Sequence, residues 1–554
     1  MRNLYFRIVL LTSVSFSLIF SSCKKYPLDN LQIAVNTDVF SSPTAILFEN
    51  AVENAKNQPS NFKITISGKD KDKVLSVLGN KTFNVENGYI FLNLEKGTLP
   101  TPESPIMFKI TGTSPGFEPF SQEIKITDAG EQKFNFKMIE IGNLPNGIIE
   151  KKSYLGLSNG TFSSQQIIET DTDENTQNKT KLTIPAGTII KDKNGDEIKS
   201  SNVDVRIRYF DPNTEAIDVF PGGLNPQDVL DENGKQIEGG VNFISSGLMQ
   251  IQMKAGDKIV KNFSKPISAE MELRADQSNP ITEEILKEGD SIPLWSRDDE
   301  TGQWKSEGVA KVVSSNGKLV AKFEMNHLSS WNLDFVYYYG GNPTPLNIVF
   351  DAPWEGYSGN FKISMYSGNN YITGTYLGSV KNGTVSILKP TPKLNSVYLV
   401  ISDYESGKQI KTETFNPTTK GTIRIDVNSC LIKDLITISL KYTIKCTNDM
   451  IKPNSGVFLT ITDLETNKRK IIRAPSVKSG SVTDRLEMRL KDKGRYRIET
   501  IGLDGSVISY ESILDISNLT YDKNKLNGFT IDKLEYNPTT KKIEADVSYI
   551  TSKC

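Results

Sequence analysis

A single histidine occurs in the 554 residues of the chain, His327, and the next two residues are Leu328 and Ser329. A base and a hydroxyl at this spacing are the parts of a nucleophilic self-cleavage. If the chain cleaved itself here, the Ser329 hydroxyl would attack the Leu328 carbonyl with His327 as base, and water would then split the resulting ester. Such a rearrangement needs a distorted peptide at the scissile bond. A plainer role competes with it. Leu319, Ala321, Phe323, Met325, His327, Ser329, Trp331 and Leu333 fall on one face of a period-two strand, which makes His327 and Ser329 ordinary inward-facing core residues. In an undistorted strand their Cα atoms lie roughly 6.6 Å apart, at about 3.3 Å per residue, so direct contact requires a turn between them.

Other chemistry has less material. One histidine leaves no clustered-histidine metal site and, away from His327, no material for a histidine-based triad. Two acidic turns, DKNGDE (192–197) and DENG (231–234), hold oxygen ligands at short spacing but lack the closing glutamate of a calcium loop. Asn-Gly and related pairs are strong hairpin signals, which explains both turns without a metal. No cofactor or metal is therefore expected. Of the four tryptophans, Trp295, Trp304 and Trp331 read as core. Trp354, in DAPWEGYSGN with Tyr357 nearby, is the better-placed candidate for ligand stacking, against the plainer role of a loop cap on a sandwich. The 65 basic and 66 acidic residues nearly cancel, leaving no basic footprint for nucleic acid.

The N-terminus carries Arg2 and Arg7, then the apolar run Ile8–Phe20, then Ser21-Ser22-Cys23. The run is too short for a spanning helix, which needs roughly 20 apolar residues, and it suits the h-region of a signal peptide over residues 1–22. The small residues before Cys23 resemble the lipobox of bacterial lipoproteins, with Phe20 standing where Leu or Val is usual. That resemblance implies acylation of Cys23, a membrane held through the lipid, and residence in the cell envelope at the outer membrane, on its periplasmic or its surface face. Cys430, Cys446 and Cys554 remain as an odd set in an oxidising compartment. Cys430 with Cys446 is the preferred disulfide, since each lies near a strand-like run across a short loop; Cys446 with Cys554 stays open.

The elements that must position these residues are strands. Residues 23–60 read as a lipidated tether followed by a short helix, because Ser42-Pro43 forms a cap signal and Ala45, Phe48, Val52 and Ala55 recur at helical spacing. From Phe62 the period becomes two: Phe62/Ile64/Ile66, Ile90/Leu92/Leu94 and Phe134/Phe136/Met138 predict a small sandwich over 61–141, which loosely resembles transthyretin-like modules. GNLPNG (142–147) is a linker. The region 148–340 carries LTIPAGTII, FPGG, SSGLMQIQM, PLWSRDDETGQWKSEG and MNHLSSWNLDF in order. These motifs resemble the extracellular region of cartilage intermediate layer protein and, more distantly, ZU-type β-sandwiches. The stretch from Trp295 and Trp304 to His327-Leu328-Ser329 also resembles the autoproteolysis site of adhesion receptors, without the cysteines that brace that motif. Regions 346–430 and 431–554 read as two immunoglobulin-like sandwiches.

The expected fold class is all-β, a row of tandem β-sandwiches behind a lipoprotein signal peptide. The expected function is a membrane-anchored extracytoplasmic lipoprotein that serves binding, adhesion or structural display toward an unknown protein or glycan. A glycan-capturing lipoprotein of a polysaccharide-uptake system and a surface protein self-cleaving at Leu328/Ser329 are the alternatives. Apart from that cleavage, no enzyme activity is expected.

Overall fold

The structure is a computed structural model. It describes residues 40–551 except 77–78, 102–103, 131, 175, 227, 239, 299–300, 339–345, 352–357, 382–384, 389–396, 404–407, 416–421, 427–434, 447–457, 474–480, 502–506 and 520–528. Strands dominate throughout, and the helical content of the described residues is two short 3-10 turns, Lys71–Lys73 and Glu215–Val219.

The first unit is a sandwich of two sheets. One runs in the order Val74–Ser76, Tyr89–Glu95, Phe40–Asn50, Gln132–Met138, and the other in the order Lys63–Ser67, Ile106–Thr113, Phe120–Ile126. Phe48 sits fully buried between them, its ring 4.9 Å from Phe62 and 4.8 Å from Phe120. The segment expected as a helix after Ser42 is therefore a strand. Its run is apolar at successive positions because both faces are covered: Ile46 and Phe48 enter the sandwich core, while Ala45 and Leu47 join Tyr89 and Phe91 in a separate cluster. A strand buried on both sides loses its period-two signature and reads like a helix segment. Pro43 is tolerated because the pairing with Tyr89–Glu95 shifts register between Ser41 and Thr44, with Ser42 at φ 46°.

Thirteen strands of the second unit form one hydrogen-bonded sheet. Its main path runs Ile148–Gly156, Asn202–Phe210, Val241–Ala255, Ser330–Tyr338, Ser291–Arg297, Trp304–Ser315, Lys318–His327, Asn262–Glu272, Thr180–Ile184, Gln166–Glu169. Leu182 near one end and Val205 near the other belong to the same core as Trp331 and Phe323, so the sheet curls over its own inner face. The opposite face gathers a second core, in which Phe243 packs 4.9 Å from Trp304 and 5.2 Å from Trp295. All three tryptophans of this region are core residues.

The third unit pairs a three-stranded sheet around Leu346–Asp351 with a four-stranded one around Ser358–Ser367. The fourth pairs two four-stranded sheets around Leu435–Cys446 and Phe458–Asp463. Three units close alike, a strand near the start lying parallel to one near the end: Phe40–Asn50 with Gln132–Met138, Leu346–Asp351 with Thr422–Asp426, and Leu435–Cys446 with Lys542–Thr551. The units are not a simple row. Lys468 of the fourth reaches Glu53 of the first at 3.1 Å, Asn87 donates to Glu499 at 2.7 Å, and Arg469 donates to the Asn87 carbonyl at 2.7 Å.

Candidate functional site

The long face from Leu319 to Leu333 is not one strand. The strand Lys318–His327 lies between Trp304–Ser315 and Asn262–Glu272, whereas Ser330–Tyr338 lies between Val241–Ala255 and Ser291–Arg297. The chain crosses from one position in the sheet to the other through Leu328 and Ser329 alone. This two-residue step supplies the turn that a direct contact needs. His327 Nδ1 and Ser329 Oγ are 3.0 Å apart.

Glu307, within PLWSRDDETGQWKSEG, stands on the far side of the imidazole. Its Oε1 lies 3.4 Å from His327 Nε2 and accepts from the Ser296 hydroxyl at 2.9 Å, with Lys305 Nζ at 3.6 Å. Burial acts to raise the Glu307 carboxyl, but the hydrogen bonds from His327 and Ser296 outweigh it and hold the group below the ordinary carboxylate range. An ionised carboxylate only accepts, so Nε2 carries the hydrogen and Nδ1 presents its lone pair to the Ser329 hydroxyl. The imidazole also stacks on Trp331, with centroids 4.9 Å apart and planes 30° apart. Carboxylate, imidazole and hydroxyl thus stand in the order that orients a base toward a nucleophile. The sequence signal is Asn316-Gly317, both at positive φ in a hairpin that sets Ser315 opposite Lys318 and folds the strand of Glu307 back alongside that of His327.

Leu328 and Ser329 are buried at 5% and 4% exposure, and the Leu328 amide donates to the Lys261 carbonyl at 2.8 Å. Neither residue has a positive φ. Leu328 also lines a cavity of about 760 Å³ that opens over Tyr154, Arg206, Met253 and Ile259.

The acidic turns are hairpin caps. Asp192 Oδ1 accepts the amides of Asn194 and Asp196 at 2.9 and 3.0 Å, and Asp231 Oδ1 those of Asn233 and Lys235 at 2.9 and 2.8 Å. Cys23 and the signal peptide, Trp354, Tyr357, Cys430, Cys554 and the side chain of Cys446 lie outside the described residues.

No family model matches the chain, and no curated protein does either. Among solved structures, the chain is similar to the major pilin subunit of Bacillus cereus at 9% identity and a TM-score of 0.11, over 87% of this chain and 97% of that one. It is similar to the Bacillus anthracis TIE protein at 11% identity and a TM-score of 0.14, over 73% and 74%. A Mobiluncus mulieris adhesin containing intramolecular disulfide, isopeptide and ester bond cross-links follows at 8% identity and a TM-score of 0.12, over 56% and 98%. Likeness at this level carries no argument about activity.

Proposed function

We propose that the chain is an extracytoplasmic display protein, anchored through Cys23, whose β units act together as one structural or adhesive body. The observation that supports this most directly is how the units are fastened. Glu118 of the first unit accepts from Arg206 and Arg208 of the second at 2.6 and 2.8 Å, and Arg208 Nε is also bound by Glu150 at 2.6 Å. Asn370 of the third unit accepts from Gln277 of the second at 2.6 Å and donates to the Ser278 carbonyl at 3.0 Å, all three residues being buried. Freely hinged carriers have small wet contacts between domains, whereas here Arg208, Asn370, Gln277 and Ser278 are buried and their polar groups are mutually satisfied. The test is fractionation and protease shaving of intact cells. The wild-type chain is expected in the membrane and accessible, and Cys23→Ala in the soluble extracytoplasmic fraction. Wild-type chain recovered as soluble cytoplasmic protein refutes the reading.

A second reading is favoured by the contact of His327 with Ser329 under Glu307. In it, the Leu328–Ser329 bond is cleaved by the chain itself. Sequencing the N-termini of purified protein decides this: a chain beginning at Ser329, absent from Ser329→Ala, supports cleavage, and Met1- or Cys23-started chains alone reject it. Cleavage would not by itself free the C-terminal part, because Ser330–Tyr338 is paired on both sides within the sheet.

A further inference from the structure

A second group of reactive side chains lies one strand pair away from His327 and takes no part in that site. Asp334 is fully buried, no basic side chain pairs with it among the described residues, and its Oδ1 has no hydrogen-bond partner. An unpaired carboxyl in an apolar core costs several kcal/mol when ionised, so it persists as the neutral acid. Burial drives the Asp334 carboxyl well above its ordinary range, the Ser245 hydroxyl opposing only in part. The surroundings are the second core, with Trp295 Nε1 donating to the Asp334 carbonyl at 3.3 Å.

Two buried neighbours complete the group. The Asn332 side-chain amide donates to Asp334 Oδ2, and the Asn332 Oδ1 accepts from the Ser245 hydroxyl at 2.9 Å. Ser245 is directly opposite Asp334 on the neighbouring strand, and a bulge between Ser245 and Gly247 turns it toward Asn332. The Gly247 amide donates to Ser245 Oγ at 3.2 Å. A hydroxyl therefore rests on an amide carbonyl while a neutral acid rests on the amide nitrogen that would leave. These are the nucleophile, the electrophile and the proton carrier of an acyl transfer, excluded from water.

We propose that Ser245 and Asn332 form an intramolecular ester cross-link, with Asp334 carrying the proton. Ser245 Oγ attacks Asn332 Cγ and its proton passes to Asp334 Oδ1, the oxygen that has no partner. The proton on Asp334 Oδ2 passes to the amide nitrogen as the Cγ–N bond breaks. The products are the Oγ–Cγ ester and one ammonia, and the carboxylic acid is regenerated, so no outside oxidant or reductant is needed.

The cross-link joins the strand Val241–Ala255 to Ser330–Tyr338, which lie on opposite sides of the Leu328–Ser329 bond in sequence. It would keep the chain covalently whole even if that bond were cut, although its formation does not depend on cleavage. Peptide mapping of the full-length protein by mass spectrometry tests it. The peptides holding Ser245 and Asn332 are expected to run as one species, lighter than their sum by one ammonia, about 17 Da, and to separate in hydroxylamine. In Ser245→Ala and in Asp334→Asn they are expected separately and at full mass. Unlinked, full-mass peptides from the wild-type protein overturn the proposal whether or not the variants fold. So does an ammonia loss at Asn332 that persists in Ser245→Ala, which would indicate a cyclic imide instead.

Discussion

Replacing Glu118 by Gln tests how the first two units are held together. Glu118, Glu150, Arg206 and Arg208 form a charge cluster, joined by Lys152 at 2.9 Å from Glu150, and the Arg208 side chain is 3% exposed. Gln keeps the shape and removes one negative charge, which adds to the net positive charge around the buried Arg208. Removing one partner of a buried pair costs about 3–5 kcal/mol. Here Glu150 still binds Arg208 and Arg206 is 23% exposed, which reduces the expected loss to about 2–3 kcal/mol. A chain of several units need not unfold in one step, so the loss belongs to the first unit's transition and not to a global midpoint. For a unit of about a hundred residues it corresponds to a shift of roughly 10–20 °C in calorimetry. The acid side gives an independent reading. The Glu118 carboxyl is lowered from 4.5: burial works against this, and the hydrogen bonds and charges of Arg208 and Arg206 outweigh it. A carboxyl lowered on folding contributes stability above its unfolded pKa and loses it as pH falls through the folded one. The wild-type transition should therefore drop as pH is taken below 4.5, and that part of the drop should vanish in Glu118→Gln. A shift under about 2 °C, or a double-mutant cycle with Arg208→Met that is additive within about 0.5 kcal/mol, refutes the reasoning.

Three other changes have definite expected outcomes. Glu307→Gln keeps an acceptor for His327 Nε2 but removes the negative charge that supports the imidazolium formed when His327 takes the Ser329 proton, so any Ser329-started chain seen in the wild type should fall roughly tenfold or more by quantitative N-terminal analysis. Phe48→Ala empties the centre of the first sandwich and should lower its stability by about 3–5 kcal/mol in denaturant unfolding. Gly160→Ala places a methyl 2.1 Å from the Ile198 carbonyl oxygen at a φ of +87°, so it should destabilise the second unit by more than about 1 kcal/mol in the same assay; an unchanged midpoint would show that this turn relaxes.

What could be read in the sequence depended on how many faces of an element are buried. Phe62/Ile64/Ile66 and Phe134/Phe136/Met138 alternate because one side of each strand meets the core, and those strands are where the alternation put them. Phe40–Asn50 failed the same test because a second layer covers its outer face, so apolar spacing alone suggested a helix. The histidine and serine were legible as a pair of types, but their contact rests on the two-residue step between strands, which alternation across Leu319–Leu333 conceals. Asp334 was invisible for a similar reason. An aspartate two residues after an asparagine in a strand reads as a solvated face, and only the sheet's second core shows that this face is closed.

Ser330–Tyr338 is where these features meet. It begins one residue after the serine that His327 touches, sits between Val241–Ala255 and Ser291–Arg297 within the thirteen-stranded sheet, and carries both Asn332 and Asp334 on one face. Cutting the chain at its start would leave the whole ladder in place, since strand hydrogen bonds do not depend on the covalent order of the segments they join. Release of the C-terminal part would require this strand to leave the sheet, exposing Leu333 and Phe335 from one core and a buried acid from the other. It would also require the contacts of Lys468, Arg469 and Glu499 with the first unit to break. A lipid on Cys23 would therefore retain both parts after cleavage.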